Sequence, residues 1–289
     1  MSTNRPPADL AVRFLGVRGT VPPYVPSAEF GNHTTAVEVS ADRKPPVLVD
    51  LGTGVIAAGA RLLEEGLRHF TVCMTHLHLD HLNGALAFAP LYRGDCRVRI
   101  LAARADVQDA LERLFSPPLH PVRFEDLKAD IVFEDITGRG VIDLPDHALA
   151  VTAAQVPHPQ GAVAYRFQAG ASAFVFATDI ELANGGDTGP FESLLATPFP
   201  AGMAAIDGFF QPHEINRFAD WGHSTWEQDA ELCRRSGVER LLVTHHHFAA
   251  RDETLNNLER EAGYDWAREG DLWTLTDNRA RKSRHHSEP

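Results

Sequence analysis

The chain has 289 residues, a formal net charge of −12, 44% hydrophobic residues and 23% charged residues. That balance excludes intrinsic disorder, which needs low hydrophobicity together with high net charge, and the acidity argues against nonspecific polyanion binding through lysine and arginine. Fifteen histidines stand against three cysteines, Cys73, Cys96 and Cys233, with no Cys-x-x-Cys pair, so neither a cysteine zinc site nor a disulfide framework is expected.

Residues 1–10 carry two prolines and no apolar run behind Arg5, and read as a flexible N-terminus, not a signal peptide. No run reaches the roughly 18 apolar residues that span a bilayer, so a soluble, cytoplasmic protein with no membrane contact is expected. Residues 12–17 and 35–39 read as strands around a proline-rich loop at 21–26. Residues 46–50 are a short apolar strand ending in an acid, Asp50. The Gly52-Thr53-Gly54 turn that follows is expected to pack beneath the loop at 76–81. Residues 55–67 have helical character up to Gly66, and 70–75 are a strand running into a histidine cluster. After a strand at 98–102, Val107, Leu111, Leu114 and Phe115 recur at helical spacing, and Pro117 and Pro118 end that helix.

The middle of the chain, at 131–136, 148–155, 162–168 and 173–178, reads as a meander of antiparallel strands. Residues 204–207 form a short strand. Ser224-Thr-Trp-Glu227 fits a capping box opening a helix to Arg235. A strand at 240–244 and a helix at 252–261 follow, and 279–289 reads as a flexible polar tail. Mixed β-then-α blocks in both halves favour two sheets packed together with helices outside, as one domain over 11–278.

The chemistry concentrates in Thr75-His76-Leu77-His78-Leu79-Asp80-His81, where four potential ligands fall within six residues directly after an apolar strand. Imidazole nitrogens and carboxylate oxygens suit zinc, manganese or iron(II). Alternate side chains past a strand end can enter one cavity, so His76 and His78 are paired with one ion and Asp80 and His81 with a second. His158, Asp179 and His245 each follow or end a further apolar strand. Asp179, with two carboxylate oxygens, is the natural bridge. His246 points away from His245, because neighbours along a strand alternate; His246 and His247 read as supporting or rim residues.

This set, His76-x-His78-x-Asp80-His81 with His158, Asp179 and His245, resembles the metallo-β-lactamase superfamily over about residues 10–265. The resemblance implies an α/β (α+β) αββα sandwich, two mixed β-sheets flanked by helices. It also implies a first ion on His76, His78 and His158, a second on Asp80, His81 and His245, and Asp179 bridging. Gly222-His223-Ser224-Thr225 resembles the phosphodiesterase branch, including ribonuclease Z and related cyclic phosphodiesterases. Residues 14–20 and 31–35 resemble bacterial hydrolases that usually carry Gly-Gly-Asn-Thr-Ser; His33 stands where that pattern has Asn, and is expected among the substrate-binding residues with His223.

The function this implies is a dinuclear metal-dependent hydrolase, zinc first and manganese or iron next. It would be a phosphodiesterase cleaving small or cyclic phosphodiesters with a metal-bridging hydroxide. Asp80 and His223 are the catalytic residues, His223 protonating the leaving oxygen. An ester, lactone or thioester hydrolase on the same site and a non-catalytic metal sensor are the alternatives. A small-molecule substrate is expected, and a homodimer is a family-level expectation. Long nucleic acid is set aside, because His158 to Asp179 spans only 21 positions and the charge is −12. Residues 191–210 are open between a lid, a pocket wall and an interface.

Overall fold

The computed structural model describes residues 9–182, 186–211, 214 and 221–283. In chain order the elements are β1 (Leu10–Gly16), β2 (Ala36–Ala41), β3 (Val47–Val49), α1 (Val55–Glu64), β4 (His69–Met74), β5 (Arg97–Ala102), α2 (Val107–Leu114) and β6 (Asp130–Asp135). Then come β7 (Ile142–Leu144), β8 (Leu149–Val156), β9 (Ala162–Ala169), β10 (Ser172–Ala177), α3 (Gly189–Ala196) and β11 (Met203–Asp207). The last are α4 (Trp226–Arg235), β12 (Arg240–Thr244), α5 (Asp252–Ala262), β13 (Asp265–Trp266), β14 (Leu272–Thr276) and β15 (Arg279–Lys282).

The strands form two mixed sheets, ordered β15-β14-β1-β2-β3-β4-β5-β6 and β13-β12-β11-β10-β9-β8-β7. β1 alternates buried and half-buried residues, placing Leu10, Val12 and Phe14 inward. These meet Tyr165, Phe167, Phe174 and Phe176 of the facing sheet in one buried cluster. The outer face of the first sheet packs on α1 and α2 through Val55, Leu62, Val107 and Leu111. The outer face of the second packs on α3 and α4 through Phe191, Leu194, Leu195, Ala230 and Leu232. The layers are therefore α-β-β-α, as the sequence implies, with α5 covering the edge at Trp266 through Leu255.

Several expectations need correction. The four middle strands are not one meander: β6 lies parallel to β5 in the first sheet, and only β8, β9 and β10 are antiparallel neighbours. The tail is not wholly flexible either, because Arg279–Lys282 pairs antiparallel with β14. The capping box sits one residue later than expected, on Thr225 and Gln228. The Ser224 hydroxyl instead donates to Ile180 O at 2.7 Å and accepts from the Leu182 amide at 2.9 Å. Residues 191–210 supply most of α3 and all of β11, bury Phe191, Leu194 and Leu195 in the core, and reach Phe209, whose ring lies against His223, so the segment is core and site wall and not a lid.

Candidate metal centre

The site lies where the parallel strands end. Open α/β sheets gather ligands outside the carboxyl ends of their strands. Here Asp50 follows β3, the His76–His81 loop follows β4, His158 follows β8 and Asp179 follows β10; Asp207 ends β11 and His245 follows β12. Asp50, Asp179 and His245 have φ of 61°, 60° and 57°, a left-handed backbone rarely held by non-glycine residues. That turn aims each side chain into the space between the sheets' ends. Gly52 packs beneath the loop as expected: a Cβ there would lie 2.5 Å from the Asp80 carbonyl.

Each of the five clustered histidines has one ring nitrogen committed. His81 Nδ1 donates to Asp50 Oδ2 at 2.8 Å. The Thr75 hydroxyl donates to the same carboxylate, which leaves its oxygen to accept from His76 Nδ1 at 3.1 Å. The Thr35 hydroxyl donates to Arg18 O and accepts from His245 Nδ1 at 2.8 Å. His158 Nδ1 donates to Gly222 O at 2.8 Å, and His78 Nε2 donates to Gln160 Oε1 at 2.9 Å. The nitrogen left on each ring is turned towards the others, His158 Nε2 lying 3.3 Å from His78 Nδ1, and in the neutral ring it carries the lone pair that can bind metal, oriented by the partner on the other side.

Those acceptors converge. Ligand atoms of His76, His78, His158 and Asp179 lie within 4.8 Å of one another, as do those of Asp80, His81 and His245. Asp179 touches both sets, with Oδ1 3.7 Å from His76 Nε2 and 3.4 Å from His245 Nε2, and Oδ2 3.2 Å from His81 Nε2. Nε2 of His76, His81 and His245 and Oδ2 of Asp179 are buried with no hydrogen-bond partner. Buried polar atoms are almost always paired, so four unpartnered ones gathered within a few ångströms of one another fit divalent cations. Burial opposes charge on Asp179, but His245, His76 and His81 outweigh it and hold the carboxyl well below its usual range. Burial likewise opposes charge on His81, and Asp80, Asp50 and Asp179 outweigh it and raise its pKa.

His223 stands beside this cluster but is held differently. Its Nδ1 donates to Asp207 Oδ2 at 2.7 Å, and its ring stacks on Phe209 at 4.2 Å. It also groups with Asp179 and His245 as residues that could hold a metal ion, but its Nδ1 faces two carboxylates, Asp207 at 2.7 Å and Asp179 at 3.9 Å. Burial disfavours the imidazolium, but the Asp207 carboxylate overrides that and raises the pKa to about 8. Asp207 also accepts from the amides of Asp179 and Phe209, tying two site loops together.

The sequence matches the family model of the β-lactamase superfamily domain over residues 46–246. The chain belongs to the β-lactamase superfamily. As a superfamily member with this fold it is a metallo-β-lactamase-fold hydrolase, and its His/Asp groups could hold divalent metal. It is 27% identical over 278 residues to ribonuclease Z of Lactiplantibacillus plantarum, covering 82% of this chain and 87% of that one. In fold it is similar to a diphosphatase of the PhnP family, with a TM-score of 0.65 and 19% identity over 92% of this chain and 97% of the other. Human tRNase Z, short form, aligns with a TM-score of 0.60 and 16% identity over 91% and 98%. The ribonuclease relative overturns one expectation: long nucleic acid cannot be set aside as a partner of this superfamily member. Net charge describes the whole surface and does not fix the field at one site.

The other histidines of this metallo-β-lactamase-fold protein divide clearly. His246 is not a rim residue: it is fully buried, stacked on Trp266 at 5.3 Å, donates Nε2 to Ala267 O, and burial drives its pKa to about 3. His247 stacks on Phe248 and lies 4.5 Å from Phe209. His33 packs against Thr53 Oγ1 at 3.3 Å and Glu269 at 3.7 Å, half exposed. His213 lies outside the described residues. The sequence reading missed Asp50 and Asp207 as site residues, although both end apolar strands, the signal that picked out Asp179 and His245. No helix among the described residues is long and apolar enough to cross a membrane.

Proposed function

We propose that this protein is a dinuclear metal-dependent phosphodiesterase. The observation that carries the reading is the pairing of orphaned, buried ligand atoms with an adjacent histidine clamped as a proton donor. In this reading His76, His78 and His158 hold one ion, Asp80, His81 and His245 hold the other, and Asp179 spans both. Zinc suits this imidazole–carboxylate set, with manganese or iron(II) next. When bound, two such ions supply positive charge against the phosphate and lower the pKa of water from 15.7 towards about 7.

The chain's own residues do the rest. Asp80, fixed by the Thr20 amide at 2.7 Å, orients the attacking water besides acting as a ligand. His223, with Nδ1 held by Asp207, offers its Nε2 proton to the leaving oxygen. Phosphoryl transfer suits this division, because positioning and charge stabilisation supply most of its catalysis. The ribonuclease Z relative supports a phosphodiester bond as the target.

The test is hydrolysis of bis(p-nitrophenyl) phosphate by zinc- or manganese-loaded protein, compared with p-nitrophenyl acetate and a lactone. The expected result is phosphodiester turnover that is lost in His76→Ala and Asp179→Ala. Turnover of the carboxylic esters with none of the phosphodiester would replace this reading with an ester hydrolase.

A further inference from the structure

Arg18 and Arg166 are the buried arginines among the described residues, and their surroundings differ. Arg18 is countered by the carboxylates of Asp252 and Glu269. Arg166, on β9 and 2% exposed, has no carboxylate within ion-pair distance among the described residues. Burial acts on it unopposed and lowers its pKa to about 10. Arginine is almost never fully buried without a partner, because an uncompensated charge is costly away from water.

Backbone holds the guanidinium in place. Its terminal nitrogens donate to Leu194 O at 3.0 Å and to Phe199 O at 2.9 Å, around the end of α3. These carbonyls offset part of the charge, since a helix C-terminus is negative. They do not use up the donors of the fork, and Nε is buried with no partner. Arg166 lines a cleft of about 730 Å³ on the outer face of the second sheet, a size typical of small-molecule sites. Across the β8–β9 pair Arg166 stands opposite Thr152, with Ala150 and Ala154 in the same row of β8. These half-buried side chains are too short to fill the trough. Pro190, Ser193 and Leu194 of α3 wall one side, and residues 136–141 wall the other, where Val141 is 69% exposed. β7 pairs with β8 only over Leu149–Val151, so the sheet leaves the rest of that flank to the cleft. None of the seven candidate metal ligands lines it.

We propose that this cleft binds an amphipathic monocarboxylate, whose carboxylate meets the unused donors of Arg166 and whose apolar tail lies along Ala150, Ala154 and Val141. The planar guanidinium fork suits a carboxylate, which it can hold through two parallel bonds. Charge selects a carboxylate over a phosphate monoester: one buried guanidinium matches one negative charge, and a phosphate carries about two. Arg139, also on the cleft, is already paired with Glu134 and half exposed. The largely apolar walls suit the tail, since burying it from water is favourable. The inference does not depend on which bond is cleaved at the metal centre.

Octanoate and octanamide share a tail and differ in charge, and calorimetric titration of each into the zinc-loaded protein tests the site. Octanoate is expected to bind saturably, and octanamide about 10-fold or more weakly, as the loss of a charge-assisted hydrogen bond gives. Arg166→Gln is expected to bring octanoate down to the level of octanamide. Thr152→Phe keeps Arg166 and its carbonyl partners and fills the trough beside them, so it decides the question even if Arg166→Gln does not fold. It is expected to weaken octanoate at least about 10-fold with an unchanged unfolding midpoint. Octanoate held by the zinc ions instead would be indifferent to Thr152→Phe. No saturable binding, equal affinities for the two ligands, or octanoate affinity unchanged in Thr152→Phe overturns the proposal.

Discussion

Every clustered histidine gives one nitrogen to the protein and keeps the other for the cavity, and this allocation depends on few atoms. Asp50 is the most connected of them: it accepts from His81 Nδ1, from the Thr75 hydroxyl and from the Thr75 amide. Removing such a supporting partner typically costs about 10–100-fold in metal affinity. Asp50→Asn is therefore expected to weaken zinc binding by that factor in a chelator competition, and unchanged affinity would remove Asp50 from the account. The Asp207–His223 pair makes a second prediction. If His223 donates the leaving-group proton, His223→Ala should lower kcat about 10²–10⁴-fold for an alkyl leaving group and far less for p-nitrophenolate, which needs no proton. Asp207→Asn should follow in the same direction. An equal loss for both leaving groups would reassign His223 to substrate binding. The His76–His81 cluster was legible because its ligands are contiguous. Asp50 and Asp207 were not, because a lone acid at a strand end acquires its meaning only from what folds beside it.

The elements matter here chiefly for their ends. The strands that deliver ligands are short and apolar, and their positions could be read within about two residues because burial on both faces demands continuous hydrophobic runs. Sheet membership could not be read that way: the Ile-Val-Phe run of β6 does not reveal that it pairs parallel with β5 across a helical crossover. β15, Arg-Ala-Arg-Lys, has no apolar pattern at all; it is an edge strand held by backbone pairing, where basic residues are usual. The cap of α4 was misplaced because Ser224/Glu227 and Thr225/Gln228 both satisfy the motif, and Ser224 is drawn off by Ile180 and Leu182. The loop after β1 depends on the first residue of α5. Burial opposes the Asp252 charge, but the Ser27 hydroxyl and the amides of Ala28, Glu29 and Phe30 hold its carboxyl below the ordinary 3.8. A carboxyl depressed in the folded state stabilises fully above its unfolded pKa and loses that contribution as pH falls through the folded one. Protection of the Ala28 and Glu29 amides from exchange should thus be full above about pH 4, fall below it, and be reduced at neutral pH in Asp252→Ala. Protection in Asp252→Ala equal to the wild type would show that the loop is held by other contacts.

At the scale of the molecule the centre joins the two sheets. His76, His78, Asp80 and His81 follow a strand of the first sheet, and His158, Asp179 and His245 follow strands of the second. The sandwich itself was legible from the mixed blocks and the ligand order, since the family's fold comes with its ligand pattern. The range of partners was not, because a charge summed over the whole chain says nothing about one mouth. Ions held by residues from both sheets would bind the folded chain and not the unfolded one, so they should add stability by mass action. At 1,000 times the dissociation constant that is about 4 kcal/mol, or about 10 °C in a domain of this size. Chelation should lower the unfolding midpoint by that order and zinc should restore it; an unmoved midpoint would mean that the ions do not bridge the sheets. The central claim is that seven residues hold two ions, and anomalous diffraction at the zinc edge from zinc-loaded crystals tests it most directly. The account predicts two peaks, one among His76, His78 and His158, the other among Asp80, His81 and His245, with Asp179 between them. A single peak, or peaks away from these residues, would contradict it.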